Sequence, residues 1–199
     1  MSNPEGVRGI LNLHPAYASV LIEFDPRLVE SAAIEALVRQ KMATEVEPGT
    51  AETPRTVEIP VRYGGEFGPD LDDVARHTGL SPERVVELHS SADYLVYFLG
   101  FAPGFAYLGG LPPELATPRI SAPRKHVPAG SVAIGGNQTG VYPIVSPGGW
   151  RLIGRTSVKL FDPAAAEPVL LRMGDRLRFI AGSAGGLAAG VLPIAENPA

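Results

Sequence analysis

SVAIGGNQTGVYPIVSPGGWRLIGRT, residues 131–156, decides the fold. Short apolar runs (Ser131–Ile134, Val141–Val145, Trp150–Leu152) alternate with glycine, proline and asparagine, and none is long enough for a helix. Such punctuation predicts several short strands closed into a barrel or sandwich. Working outward, Tyr94–Phe101, Thr156–Phe161 and Arg176–Ile180 extend the set. Upstream, Val57, Ile59 and Val61 alternate with polar neighbours as a half-buried strand that Pro60 assigns to an edge. Asp70 is placed to cap a short helix from Leu71 to His77, closed by Gly79. Ser81-Pro82 opens a second helix through Leu88, with Leu80 and Val85 as a hydrophobic staple. Further upstream, Ser19–Phe24 reads as a strand. Asp25-Pro26 then starts a helix with Val29, Ala33 and Leu37 on one face and Arg39 and Lys41 near its end. Glu47–Pro54 is polar and breaker-rich, a linker. The expected organisation is therefore α+β: a small N-terminal α/β domain over 1–53, a β-barrel domain over 54–182 and a Gly/Ala-rich tail over 183–199.

Composition narrows the chemistry. The 199 residues are 45% hydrophobic and 19% charged, the balance of a folded chain rather than a disordered one. There is no cysteine, so thiol nucleophiles, disulfides and cysteine-ligated zinc are excluded. The four histidines, His14, His77, His89 and His126, are too scattered for a helical metal pair, and no metal site is expected. A net charge of −4 argues against nucleic acid as partner. Tyr94–Pro113 carries no charge, but its glycines and prolines preclude a continuous membrane helix. The N-terminus lacks a basic region followed by an apolar run, so a cytoplasmic location is expected.

Within this acidic chain, residues 94–161 hold one acid, Glu114, against six bases: Arg119, Arg124, Lys125, Arg151, Arg155 and Lys159. The same segment holds eleven glycines and eight prolines, so tight loops can bring backbone donors and cations to one small anion. The alternative is that these bases pair with the acidic remainder. Gly135-Gly-Asn-Gln-Thr-Gly140 offers uncharged donors and acceptors beside Tyr142, and reads either as a polar cradle or as a plain hairpin turn. Phe98, Phe101, Phe105 and Tyr107 read as a pocket wall or as core, with core favoured for at least two of them. Trp150 reads as a plug at a barrel end. His126, among bases, is a candidate general base. No Walker loop and no Gly-x-Ser-x-Gly elbow is present.

Several long motifs stand in a fixed order: Phe98-Leu-Gly-Phe-Ala-Pro-Gly-Phe-Ala-Tyr-Leu-Gly-Gly110, Val127-Pro-Ala-Gly-Ser-Val132, Gly136-Asn-Gln-Thr-Gly-Val-Tyr-Pro143 and Ser146-Pro-Gly-Gly-Trp-Arg-Leu-Ile-Gly-Arg-Thr156. With Ile59-Pro-Val-Arg-Tyr-Gly-Gly-Glu-Phe-Gly-Pro-Asp70, they resemble the family of 5-oxoprolinase B subunits, also known as allophanate hydrolase subunit 1 and as the kinase inhibitor KipI. The resemblance runs from about Pro15 to Phe179. It implies a cyclophilin-like barrel behind a small α/β domain that is here shortened or begun at a misassigned start. It implies two partners, the 5-oxoprolinase C subunit (allophanate hydrolase subunit 2) and the 5-oxoprolinase A subunit, and ATP as co-substrate for opening 5-oxoproline to glutamate. In that chemistry Arg124 and Arg155 are the expected anion clamps, Asn137, Gln138, Thr139 and Tyr142 the orienting polar groups, and His126 a further catalytic candidate. The family's other names imply two alternatives: an inhibitor that binds a sensor histidine kinase, or one component of an allophanate- or urea-related hydrolase or carboxyltransferase.

Overall fold

The computed structural model describes residues 8–16, 18–43 and 55–182. The chain divides into two compact units, Met1–Thr53 and Pro54–Ala199. In the first, β1 (Ile10–Pro15) and β2 (Val20–Phe24) form an antiparallel hairpin followed by α1 (Ser31–Ala43). The helix starts later than the Asp25-Pro26 pair predicts, at Ser31. Asp25 instead accepts the backbone N–H and the guanidinium of Arg27, which closes a local turn and delays the helix. The expected linker, 47–54, and tail, 183–199, lie outside the described residues.

The second unit is a closed seven-stranded barrel. Its strands are β3 (Thr56–Tyr63), β4 (Tyr94–Leu99), β5 (Ala106–Gly109), β7 (Ser131–Gly135), β8 (Gln138–Val141), β10 (Arg151–Arg155) and β11 (Arg176–Ala181), with β6 (Arg124–Val127) and β9 (Ser146–Gly148) between them in sequence. Around the barrel the order is β10-β3-β11-β4-β5-β8-β7, and β7 closes onto β10. All neighbours are antiparallel except β3 and β11. Because β3 belongs to a closed ring, Pro60 is not on a sheet edge. It is tolerated because β10 reaches only Arg62 and Tyr63, leaving the strand ladder-paired on the β11 side alone as far as Pro60.

Alternation fills the barrel. Val57, Ile59 and Val61 from β3, Tyr94 and Val96 from β4, Val132 and Ile134 from β7, and Leu177 and Phe179 from β11 all enter one core. Helices α2 (Leu71–Thr78) and α3 (Pro82–Ser91) pack against it through Val74 and Val85. Gly79 closes α2 in the left-handed conformation, and the Ser81 hydroxyl caps α3 by accepting the N–H of Arg84. Asp70 occupies the N-cap position of α2, but its carboxylate makes no cap bond there.

Two expected strands change. The hairpin turn at Gly136-Asn137 pairs Gly135 with Gln138, which pulls the following strand to Gln138–Val141 instead of Val141–Val145. Thr156–Phe161 is not a strand: Leu160 is in the core, yet the segment makes only an isolated bridge, Phe161 to Val169.

A second, smaller core lies on the opposite side of the barrel wall. Ala133 and Leu152, sequence neighbours of the inward Val132 and Ile153, face outward and meet Phe105, Val127, Tyr142 and Trp150. The two-stranded ribbon of β6 and β9 contributes Val127 to it. Trp150 therefore packs against the barrel wall and does not plug an end. Gly135 makes this possible, since a Cβ there would stand 2.4 Å from the indole Cδ1. Gly135→Ala should destabilise the protein by about 1–3 kcal/mol through overpacking. The lone tryptophan reports it directly, as a lowered urea midpoint with a shifted native emission spectrum.

Candidate functional site

Beside the second core is a pocket of about 160 Å³, walled by Phe101, Phe105, Tyr107, Tyr142 and Trp150 and rimmed by Arg119 and Gly148-Gly149. The aromatic rings meet edge to face: Phe105 lies 5.8 Å from both Tyr142 and Trp150, and 5.1 Å from Tyr107. Phe98 stays outside the pocket, stacked on Tyr107 at 4.3 Å. Of the aromatic run, then, Phe101, Phe105 and Tyr107 form wall, and Phe105 is also core.

Phe101 is unusual. Its φ of 68° is the sole positive value at a non-glycine among the described residues, and the Ala102 N–H donates to the Gly100 carbonyl around it. This is a γ-turn in its strained form, carrying an exposed ring 5.3 Å from Phe105. Strain held at a pocket rim presents that ring to whatever occupies the hollow.

The polar groups are few. Tyr142 is almost wholly buried, and burial raises its phenol above its ordinary pKa, so the group stays protonated and can donate a hydrogen bond. A Cβ at Gly148 would stand 2.3 Å from the Tyr142 Oη, so only glycine lets the ribbon close over this phenol. The Arg119 guanidinium sits 5.8 Å from the Trp150 ring and forms no ion pair among the described residues. Arg124, opposite Gly148 on the ribbon but outside the pocket lining, donates one Nη2 bond of 2.7 Å to Asp70, while its Nη1 is buried and unpartnered among the described residues. Both arginines are close enough to bear electrostatically on the Tyr142 phenol.

The other candidates lie elsewhere. Thr139 is buried and committed inward: its hydroxyl donates to the Ala133 carbonyl at 2.9 Å and meets His89 Nε2 at 2.8 Å. Asn137 is exposed at the tip of the β7–β8 hairpin and Gln138 half-buried beside it; neither lines the pocket. His126 is exposed on β6. Arg155 is on the barrel's outer face, at the end of β10 away from Leu152, and is likewise not a lining residue. Of the six bases, Arg124, Arg151 and Lys159 pair with Asp70, Asp73 and Asp162. Arg119 stands out from the other bases only in the folded chain, because nothing local marks it. It reaches the pocket through the bridge of Thr117 to Gly136 and the bond from Ile120 N–H to the Gly149 carbonyl. A separate charged groove is lined by Asp73, Arg76 and His77 of α2 and by Arg151 of β10. Among the described residues no group of three His, Asp or Glu could hold a metal ion, and no helix is long and apolar enough to cross a membrane.

Residues 2–171 match the family model of the carboxyltransferase domain, subdomain C and D. The chain is 59% identical over 151 residues to the 5-oxoprolinase B subunit of Escherichia coli O157:H7, covering 76% of this chain and 69% of that one. It is 46% identical over 182 residues to the Bacillus subtilis (strain 168) protein of the same name, covering 86% and 75%. The crystal structure of TTHA0988 superposes with a TM-score of 0.70 at 44% identity, over 88% of this chain and 34% of that one, so this chain spans about a third of that longer polypeptide.

Proposed function

This chain belongs to the carboxyltransferase subdomain C and D family, in the branch of the 5-oxoprolinase B subunits, and we propose that it serves as the B component of an ATP-dependent complex that hydrolyses 5-oxo-L-proline to L-glutamate. Its partners in this reading are the A and C subunits of that complex, and the chain alone is inactive. The observation that carries the reading at the level of chemistry is the aromatic pocket with Arg119 at its rim and a protonated phenol in its wall.

5-Oxoproline is a flat five-membered lactam bearing one carboxylate. Aromatic walls suit its ring, a guanidinium its carboxylate, and a phenolic O–H its lactam oxygen. The amide is resonance-stabilised, so opening it draws on phosphoryl transfer from ATP to the lactam oxygen. Water then attacks the ring carbon and the C–N bond breaks, leaving an acyl phosphate of glutamate, and a second water hydrolyses that to the carboxylate and free phosphate. Most of the catalysis in such a sequence is positioning and charge stabilisation. Arg119 is assigned to the carboxylate, Tyr142 to the lactam oxygen, and the unpartnered Nη1 of Arg124 to charge that gathers on that oxygen.

The test is co-expression with the A and C subunits, followed by measurement of glutamate formed from 5-oxoproline with and without ATP. Glutamate should form only with ATP. Arg119→Ala should lower kcat/KM by about ten- to a hundredfold, the worth of one charged hydrogen bond. A complex that makes no glutamate would refute the activity, and an Arg119→Ala complex with unchanged kinetics would move the carboxylate site elsewhere.

A further inference from the structure

On the outer face of the barrel, away from the pocket lining, three polar side chains stand in one cross-strand row. Arg62 of β3 is directly opposite Arg155 of β10, and Arg155 is directly opposite Ser131 of β7. Directly opposed residues leave the same face of a sheet. Their neighbours Val61 and Val132 point into the barrel, so the row points out. Two like charges directly opposed across a ladder repel one another, and a fold keeps such a pair where something negative joins it.

Nothing negative among the described residues does so. Neither Arg62 nor Arg155 forms an ion pair there. Glu58, on the same strand as Arg62, is opposite Arg178 of β11 and acts on that residue. Glu66 is exposed and unpaired with either arginine. The row also contains two orphaned polar atoms: Arg155 Nε and Ser131 Oγ are buried and lack a hydrogen-bond partner among the described residues, and Ser131 is wholly inaccessible. Buried donors without partners are uncommon and mark a missing acceptor.

The guanidinium groups are held in place rather than free to swing into solvent. The Arg62 guanidinium carbon sits 3.9 Å from the centre of the Phe67 ring, and that of Arg155 sits 5.9 Å from the same centre. A Cβ at Gly130 would stand 3.5 Å from Arg155 Cγ, so the stem of Arg155 lies along the β6–β7 turn. One aromatic platform thus carries two forks, with a serine hydroxyl in the adjoining register position.

We propose that Arg62 and Arg155 form a second, separate binding site for an oxyanion with at least two accessible oxygens. It takes a phosphate group or a carboxylate, received by the two guanidinium forks. The site does not depend on the pocket assignment, because it shares no residue with that pocket and its occupancy is read on the isolated chain without partners or turnover.

The experiment titrates the full chain with inorganic phosphate, ATP and acetate in separate arms at ionic strength matched with sodium chloride. It follows the thermal unfolding midpoint and, for the phosphate arms, ³¹P line width. Saturable stabilisation is expected, and at least a tenfold weaker response in Arg62→Gln, Arg155→Gln and Arg62→Lys, the last retaining charge but losing the fork. Arg119→Ala should respond as the parent does. A response to phosphate or ATP identifies a phosphate ligand, and one to acetate alone a carboxylate. No saturable response in any arm, or one that the Arg62 and Arg155 variants leave unchanged, overturns the site.

Discussion

Asp70→Ala should lower the unfolding free energy by about 3–5 kcal/mol, the usual cost of removing one partner from a buried ion pair. The side chain of Asp70 is 7% exposed and that of Arg124 31%. One carboxylate oxygen accepts the Arg124 Nη2 bond at 2.7 Å, and the other accepts the Leu152 N–H, also at 2.7 Å. The Asp70 N–H in turn donates to the Leu152 carbonyl. Asp70 therefore ties the start of α2 to β10 of the barrel and to β6 of the ribbon at once. Alanine would leave a guanidinium with two unpartnered nitrogens and a backbone donor without an acceptor. Asp70→Asn keeps an acceptor for Leu152 and should cost less, about 1–3 kcal/mol. Urea unfolding followed by Trp150 emission measures both. Asp93, whose pairing with Arg178 lies on the surface, is the control, and Asp93→Ala should leave the midpoint nearly in place. A midpoint for Asp70→Ala equal to that control would show that the buried pair contributes nothing. The same variant bears on the pocket, because Arg124 and Gly148 are register partners on the ribbon that covers Tyr142.

Asp70 also marks where sequence reasoning stops. A residue type and a spacing identify it as a helix cap, since caps are local. Its actual partners are 54 and 82 residues away, and only the closed barrel brings them together. The same distinction runs through the molecule. The inward face of β3, Val57, Ile59 and Val61, could be read because alternation is a property of one strand alone. The ribbon could not: Arg124–Val127 and Ser146–Gly148 have no strand composition and are extended because they pair with one another. The aromatics of the glycine-rich segment and Tyr142 border the pocket. Thr139 does not, because a two-residue turn sets the register, and register alone decides which side chains of β8 face the core. Arg119 was invisible as a pocket residue for the opposite reason, being brought to Trp150 by contacts between segments that carry no local signal.

Acid should destabilise the barrel well before its carboxylates titrate, and His89 is the cause. This residue of α3 is fully buried, stacked on Phe179 at 4.6 Å. Because the Thr139 hydroxyl donates to Ala133, it must accept the proton of His89 Nε2, which leaves Nδ1 to accept from the Tyr63 hydroxyl at 2.8 Å. Every polar atom of the ring is thus matched to the neutral form, and an added proton on Nδ1 would face a phenol that burial keeps protonated. Burial drives the His89 pKa down from 6.5 to about 3. Since the folded value lies below the unfolded one, the unfolded chain takes up the proton first. The contribution is complete above pH 6.5 and is lost as pH falls towards 3. At pH 5 the loss should be about 2 kcal/mol, from roughly 1.4 kcal/mol per pH unit below the unfolded pKa. His14, His77 and His126 are exposed and present in every variant, so they cancel in a comparison. Urea midpoints at pH 7 and pH 5 for the parent and for His89→Gln isolate the effect. The glutamine variant starts less stable, having lost the fitted ring, but its midpoint should change far less between the two pH values. If both proteins lose the same stability over that interval, the proton goes elsewhere and the buried imidazole does not govern the acid limit of this fold.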